Sequence, residues 1–259
     1  MYDIEREKAI LKILEQRGTI GVNRLASLVY CSGSTIRRDL TKLEKKGLVK
    51  RAFGSVSLSN EIATEEISFS SRELVNISTK KKLSKAAASC ISNSQIVFID
   101  SSTTLFHIVP YLNELKNLLI VTNGLKIAAE ITSRTSHKVV MIGGEVQPHT
   151  NSTLGSSSIK QAAAFHTDIC LLSTTGVSLD FGFSEASYDS ALLKKQMIEN
   201  SSKNIMVFDE SKFGQKKAFR TCDIKKADAI IVPFGFDNTI IEDIQKLGVE
   251  VIVAPDSIS

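Results

Sequence analysis

Ser34, Arg38, Thr41 and Lys45 follow one another at spacings of four, three and four residues, so on a helix they share one face, with Thr35 and Arg37 flanking it. Short hydroxyls and cations are the side chains that hydrogen-bond base edges and phosphates in a major groove. A solvated amphipathic helix would show the same face, so the neighbouring segments decide. A second set of chemistry-bearing residues is spread over five short polar segments. These are Asp100-Ser101-Ser102-Thr103-Thr104, Thr122-Asn123-Gly124, Gly143-Gly144-Glu145, Ser173-Thr174-Thr175-Gly176 and Asp209-Glu210-Ser211-Lys212. Hydroxyls and backbone N–H groups at a helix start suit a phosphate, and carboxylate and amide groups orient hydroxyls.

The first set needs a helix with a buried back. Ile36, Leu40 and Leu43 supply it at i, i+4 and i+7. Upstream, Ile10, Leu11, Ile13 and Leu14 predict a helix over about Ile4 to Arg17, closed by Gly18 as a left-handed cap. Val22, Leu25, Ala26 and Val29 predict a short second helix, and Cys31-Ser32-Gly33 the brief polar turn between helices. Downstream, Gly47 to Arg51 and Ser55 to Leu58 alternate around Gly54 as a β-hairpin would. Three helices and a hairpin make a winged helix-turn-helix, with Arg51 a further candidate for DNA contact. Residues 1–60 hold twelve Lys/Arg against six Asp/Glu, a net +6, while the rest of the chain carries −2 of the overall +4. A positive charge concentrated on patterned helices marks a polyanion binder.

The second set needs a parallel sheet. Apolar runs at Ile96–Ile99, Leu118–Thr122, Val139–Ile142, Ile169–Leu172, Ile205–Phe208, Ala229–Val232 and Val251–Val253 read as strands. Helical patterns cover Lys81–Ile91, Thr103–Leu112, Leu125–Ser133, Ser187–Ser201 and Asn238–Leu247. Short apolar strands separated by helices predict an α/β domain with both sheet faces covered. Ligands of such sheets sit beyond the carboxyl ends of the strands. All five polar segments fall there, predicting a cleft for a small, hydroxylated, anionic ligand. The expected division is therefore a DNA-binding domain over residues 1–58, a Ser- and Glu-rich linker over 59–78 and an effector domain over 79–259.

Composition narrows the remaining classes. In 259 residues, no apolar run approaches the roughly 20 residues that span a bilayer, and the amino terminus has no signal-peptide profile, so a cytoplasmic protein without a membrane partner is expected. Cys31, Cys90, Cys170 and Cys222 are scattered without a CxxC pair, and the four His residues lack zinc-ligand spacing. Reduced thiols are expected, with neither a metal nor a cofactor.

Arg6, the apolar helix after it, Ser34-Thr35-Ile36-Arg37-Arg38-Asp39-Leu40 and Leu43 through Arg51 together resemble the DeoR family of bacterial transcriptional regulators. The resemblance extends along nearly the whole chain. It takes in Arg72, Asn76, Lys80, Asp100 to Thr104, Thr122-Asn123, Gly143-Gly144, Gly176, Gly182, Ala191 to Lys194, and Asp209 through Phe213. It implies a carboxy-terminal fold similar to ribose-5-phosphate isomerase and coenzyme A transferases. It further implies a sensor of phosphorylated sugars controlling a sugar-utilisation operon, with Thr35, Arg37 and Arg38 contacting double-stranded operator DNA; Asp39, whose carboxylate would be repelled by phosphate, is expected to be a structural partner. Four positions depart from the family pattern: Phe53 replaces a common His, Ser55 a second Gly, Ser102 a Gly of the phosphate turn, and Ser190 a common Glu.

On this reading Thr103 and Thr104, with the backbone around Ser101 and Ser102, hold a phosphate. Lys194 or Lys212 neutralises it, although each would also suit a solvated surface. Asp100, Asn123 and Asp209 meet sugar hydroxyls, while Arg72 and Lys80 brace the linker. Half-sites a helical turn apart call for a homodimer or homotetramer. The rival reading is a sugar-phosphate isomerase or transferase-like enzyme, for which Asp100 and Glu185 are available carboxylates. The glycine-rich segment carrying the resembled isomerase's catalytic lysine is not recognisable near Gly182 to Glu185, and an enzyme leaves the amino-terminal helices unexplained. A regulator without catalytic activity is the expectation.

Overall fold

The computed structural model describes residues 3–45, 48–58 and 68–257. Gly47, the expected start of the hairpin, and residues 59–67 of the expected linker lie outside them. The chain divides into two compact units, Met1–Ile77 and Ser78–Ser259.

The first unit runs α1 (Asp3–Arg17), β1 (Ile20–Gly21), α2 (Val22–Leu28), α3 (Gly33–Lys45), β2 (Val49–Ala52), β3 (Ser55–Leu58) and α4 (Phe69–Glu73). Ile10, Leu11 and Leu14 of α1 close over Leu25 of α2 and Ile36, Leu40 and Leu43 of α3, with Val56 of the hairpin in the same core. Gly18 ends α1 at φ +66, its N–H reaching the Leu14 carbonyl at 2.9 Å, the expected left-handed cap. Helix α3 begins at Gly33, inside the expected turn, where the Ser32 hydroxyl accepts the Thr35 N–H at 3.2 Å. Strands β2 and β3 pair from Val49↔Leu58 to Ala52↔Ser55, and β1 adds to β3 as a third strand. A two-residue strand has no period to read, so sequence pattern misses it. Helix α4, capped by Ser68, lies where only linker was expected.

The second unit contains α5 (Ile77–Ala88), β4 (Ile96–Ile99), α6 (Val109–Leu112), β5 (Leu119–Thr122), α7 (Leu125–Arg134) and β6 (Lys138–Met141). It continues through β7 (Glu145–Gln147), β8 (Ser152–Leu154), α8 (Ser156–Ala162), β9 (Thr167–Leu172), β10 (Gly176–Ser178) and β11 (Gly182–Glu185). It ends with α9 (Tyr188–Glu199), β12 (Ser201–Val207), β13 (Phe219–Cys222), β14 (Ala229–Val232), α10 (Asn238–Lys246) and β15 (Glu250–Val253). Seven strands, all parallel, form the sheet in the order β15-β14-β12-β9-β4-β5-β6. Val97 and Ile99 face one apolar core and Phe98 the other, so both faces of β4 are buried.

Three expectations are corrected. The helix expected over Thr103–Leu112 is a 3₁₀ turn at Leu105–Ile108 followed by the single turn α6. Pro110 has no N–H to donate back along a continuous helix, which breaks it there. Strand β12 starts at Ser201, four residues before the apolar run, and takes Ser201 from the expected helix. Its polar first half pairs with β9 at Ser201↔Thr167. The hairpin β7–β8 and the small antiparallel sheet β10-β11-β13 were not expected, since strands of three or four residues show almost no alternation. Cys170 is buried, whereas Cys31, Cys90 and Cys222 are half-buried free thiols.

Candidate functional site

Helix α3 buries Ile36, Asp39, Leu40 and Leu43 and exposes Ser34, Arg37, Arg38, Thr41 and Lys45, leaving Thr35 half-buried. Asp39 is fully buried and takes a bidentate pair from Arg6 of α1: Nε to Oδ2 at 2.5 Å and Nη2 to Oδ1 at 3.1 Å. A planar guanidinium matched to a carboxylate fixes direction as well as distance, so the pair sets how α3 lies on α1. Neighbouring elements hold the exposed face. Arg37 donates to Asn23 Oδ1 of α2 at 3.3 Å. Arg51 of β2 donates Nη1 to Thr41 Oγ1 and its backbone N–H to Glu44 Oε1, both at 3.3 Å. Ser34, Arg37, Arg38, Thr41 and Lys45 are therefore exposed together on α3, with Thr35 half-buried and Arg51 beside them on the hairpin.

Because all seven strands are parallel, the turns after β4, β5, β6, β9 and β12 lie along one edge of the sheet. The first two touch: a Cβ built on Gly124 would stand 3.0 Å from the Ser101 Cα. Within these turns many groups already have protein partners. Asp100 is buried, accepting the Ser102 N–H (3.0 Å) on one oxygen and the Ser173 N–H (2.9 Å) on the other. Thr103 and Thr104 are buried, and the Thr104 carbonyl accepts the Ser84 hydroxyl at 2.5 Å. Ser101 and Ser102 are half-buried, and the Ser102 hydroxyl caps the Leu105 N–H at 3.2 Å.

Lys194 of α9 is not a surface lysine. Its ammonium lies 2.7 Å from Glu185 Oε1, 2.8 Å from the Ser173 carbonyl and 3.4 Å from Asp100 Oδ2. Burial alone would depress its pKa, but Glu185 and then Asp100 outweigh that and raise it above the usual value, so the group stays charged. Thr175 completes the cluster, donating its hydroxyl to Glu185 Oε2 at 2.6 Å. Two expectations are revised here. Both oxygens of Asp100 are engaged inside the protein, and the Lys194 charge is already balanced by two carboxylates. From the sequence Glu185 is legible only as a carboxylate available to an enzyme. It provides, from β11, an acid beside Lys194, while Ser190 only has its N–H at the helix-capping Ser187 hydroxyl.

The glycines of the edge serve close packing. A Cβ on Gly144 (φ +148) would lie 2.0 Å from Ser158 Oγ, and one on Gly176 would lie 2.6 Å from the Gln215 carbonyl. Gly143 donates its N–H to Gln161 at 2.9 Å. Thr122 accepts the Gly124 N–H at 3.0 Å. Two places are less self-contained. Asn123 is buried and donates to the Thr153 carbonyl at 3.2 Å, but its Oδ1 has no hydrogen-bond partner among the described residues. Around Asp209 the balance is cationic. Burial opposes ionisation of its carboxyl, yet Lys212, the Ser211 hydrogen bonds and Lys80 together hold it below the usual range. Burial and the charge of Lys212 lower the pKa of Lys217. Lys80, expected only as a linker brace, belongs to this set by its field, which sequence spacing could not show.

Among the described residues, no helix is long and apolar enough to cross a membrane, and no group of three or more His, Cys, Asp or Glu is placed to hold a metal. Residues 6–61 match the DeoR-like helix-turn-helix domain, and residues 75–233 the DeoR C-terminal sensor domain. A protein of Escherichia coli O157:H7, provisionally named an aga operon transcriptional repressor, is 31% identical over 96% of this chain and 93% of its own length. The transcriptional repressor GlcR of Bacillus subtilis is 27% identical over 98% of this chain and 97% of its own. The glycerol-3-phosphate regulon repressor of Escherichia coli K12 is 28% identical over 89% and 90%. Ribose 5-phosphate isomerase A of Methanocaldococcus jannaschii overlaps loosely, at 14% identity and a TM-score of 0.40 over 54% of this chain and 56% of that one, too little to argue from.

Proposed function

From the premise that this chain belongs to the DeoR family of transcriptional regulators, we propose that it represses a sugar-metabolism operon and is modulated by a phosphorylated sugar bound at the carboxyl edge of the parallel sheet. Operator DNA meets the α3 face. The observation that carries this is the exposed set Ser34, Arg38, Thr41 and Lys45 on a helix pinned from behind by Arg6–Asp39 and from the side by Arg51. Arg38→Ala is expected to cost about 1–3 kcal/mol of operator affinity if it reads a base, with relaxed specificity at that position. If it holds a phosphate, the affinity falls evenly across sequences and the salt slope drops by about 1. Titrations of labelled operator at several salt concentrations decide between these, and an unchanged affinity and slope would remove Arg38 from the interface.

For the effector, support comes from the Asn123 Oδ1 that has no donor among the described residues and from the cations around Asp209. Leaving a buried acceptor unmet costs about 1–3 kcal/mol, which a ligand hydroxyl would recover. Lys212, rather than the internally balanced Lys194, is the cation for the phosphate, with Lys80 and Lys217 contributing to the same positive region. Ligand binding shifts the population of DNA-competent forms by its coupling free energy, in a homodimer or homotetramer that spans two half-sites. The test is a thermal-shift panel of pentose and hexose phosphates, their unphosphorylated parents and inorganic phosphate. A true effector at a hundredfold excess over its Kd stabilises by about 2.7 kcal/mol, an effect that Lys212→Ala should weaken. A flat response to the entire panel would remove the phosphorylated-sugar assignment.

A further inference from the structure

Among the described residues Phe53 is the most exposed large apolar side chain, at 111% of its reference area, and it sits at the tip of the β2–β3 hairpin. Phe53 and Gly54 form the whole two-residue loop, with φ of +45 and +79, so both central residues are left-handed, as a type I′ turn requires. Glycine and asparagine adopt that conformation readily, whereas for a bulky residue it is strained. Solvation and backbone preference thus both oppose phenylalanine here, and its ring touches no core. Two cations precede it on the adjoining strand. Lys50 and Arg51, three and two residues before it on β2, are exposed, and Arg51 ties the strand to Thr41 on the exposed face of α3. An exposed ring beside exposed cations, braced to a cationic helix, has the chemistry of a nucleic-acid contact.

Resting on the α3-to-operator reading above, we propose that Phe53 is an apolar wedge that enters the DNA groove next to the one occupied by α3 and partly unstacks a base step there. Lys50 and Arg51 draw the hairpin to the flanking phosphates, and the ring then adds affinity through contact with bases, which is insensitive to salt. Apolar side chains placed between base steps kink the duplex, and base–aromatic stacking contributes about 1–3 kcal/mol by substitution, so roughly a tenfold change in affinity lies in the lower half of that range. The wedge favours steps that unstack easily, so it imposes a sequence preference outside the helix contacts.

The decisive variant is Phe53→Asn. It removes the ring and installs Asn-Gly, the preferred pair for this turn, so the hairpin should keep or gain stability. The probe is a labelled duplex selected from a random pool by the wild-type full-length protein, carrying 2-aminopurine at successive steps flanking the helix contact. Wild type should brighten the probe at one step, and Phe53→Asn should abolish that signal. The variant should also bind about tenfold more weakly, with an unchanged salt slope and no lower Tm, whereas Lys50→Ala should reduce the slope instead. Binding of Phe53→Asn within twofold of wild type, or a loss that tracks only a change in oligomeric state, would overturn the proposal. Failure of wild type to select any duplex would instead overturn the operator reading on which it rests.

Discussion

Asp39→Ala is expected to unfold the amino-terminal unit and abolish operator binding while the transition of the sheet unit stays in place. The substitution deletes a buried carboxylate and removes the two hydrogen bonds that Arg6 of α1 makes to it on α3. Breaking a buried pair from one side costs about 3–5 kcal/mol, because the remaining charge stays desolvated. Domains as a whole hold about 5–15 kcal/mol, and small ones lie near the bottom of that range. Thermal melts followed by circular dichroism, with a DNA-retention assay on the same samples, test this. A double variant, Arg6→Leu with Asp39→Leu, should recover much of the loss, since apolar replacement of a whole buried pair is often neutral. If Asp39→Ala melts like wild type, the pair does not anchor α3.

The second large effect is expected in the other unit. Lys194→Met leaves Asp100 and Glu185, both almost fully buried, without the ammonium between them. The expected cost is again about 3–5 kcal/mol at neutral pH, read as a lower denaturation midpoint for the sheet unit at unchanged m. The sign with pH follows from the direction of the shift. The folded pKa of Lys194 lies above its ordinary 10.5, so its contribution is complete below that value and fades only as pH climbs through the raised one. The gap between wild type and variant should therefore hold steady through the neutral range. Adding Glu185→Leu to the variant should restore part of the midpoint, and a midpoint equal to wild type in Lys194→Met alone would show the cluster to be energetically idle.

Much of this molecule could be read from residue spacing. The i, i+4, i+7 apolar stripe of α3 identified both its buried back and its exposed face, because helix geometry maps spacing directly onto direction. The parallel sheet was equally legible, since β4, β14 and the Ile169–Leu172 part of β9 are continuous apolar runs, as strands covered on both faces require. The partners inside the edge cluster were not legible. Lys194 and Glu185 are nine residues apart in sequence but meet across a strand–helix corner, and nothing in their spacing distinguishes that from two solvated charges. Likewise, Asp39 read as structural because a carboxylate facing phosphate is repelled, whereas Arg6 as its partner needed the fold. The hydroxyl turn after β4 reads as a helix start because short hydroxyl side chains cap ordinary helices.

The strand order has a consequence for how the sheet unit is made on the ribosome. Strands β4, β5 and β6 follow one another and can pair as soon as they emerge, but β4 must wait for β9, whose seam is closed by the Asp100–Ser173 bond across 73 residues. Until then β4 is the unpaired margin of a three-stranded sheet, and an apolar margin of this kind invites pairing with another chain. A nascent polypeptide halted before Thr167 thus exposes the apolar margin of β4, and the acid–lysine cluster, whose members come from both sides of the seam, can assemble only after β9 has paired there.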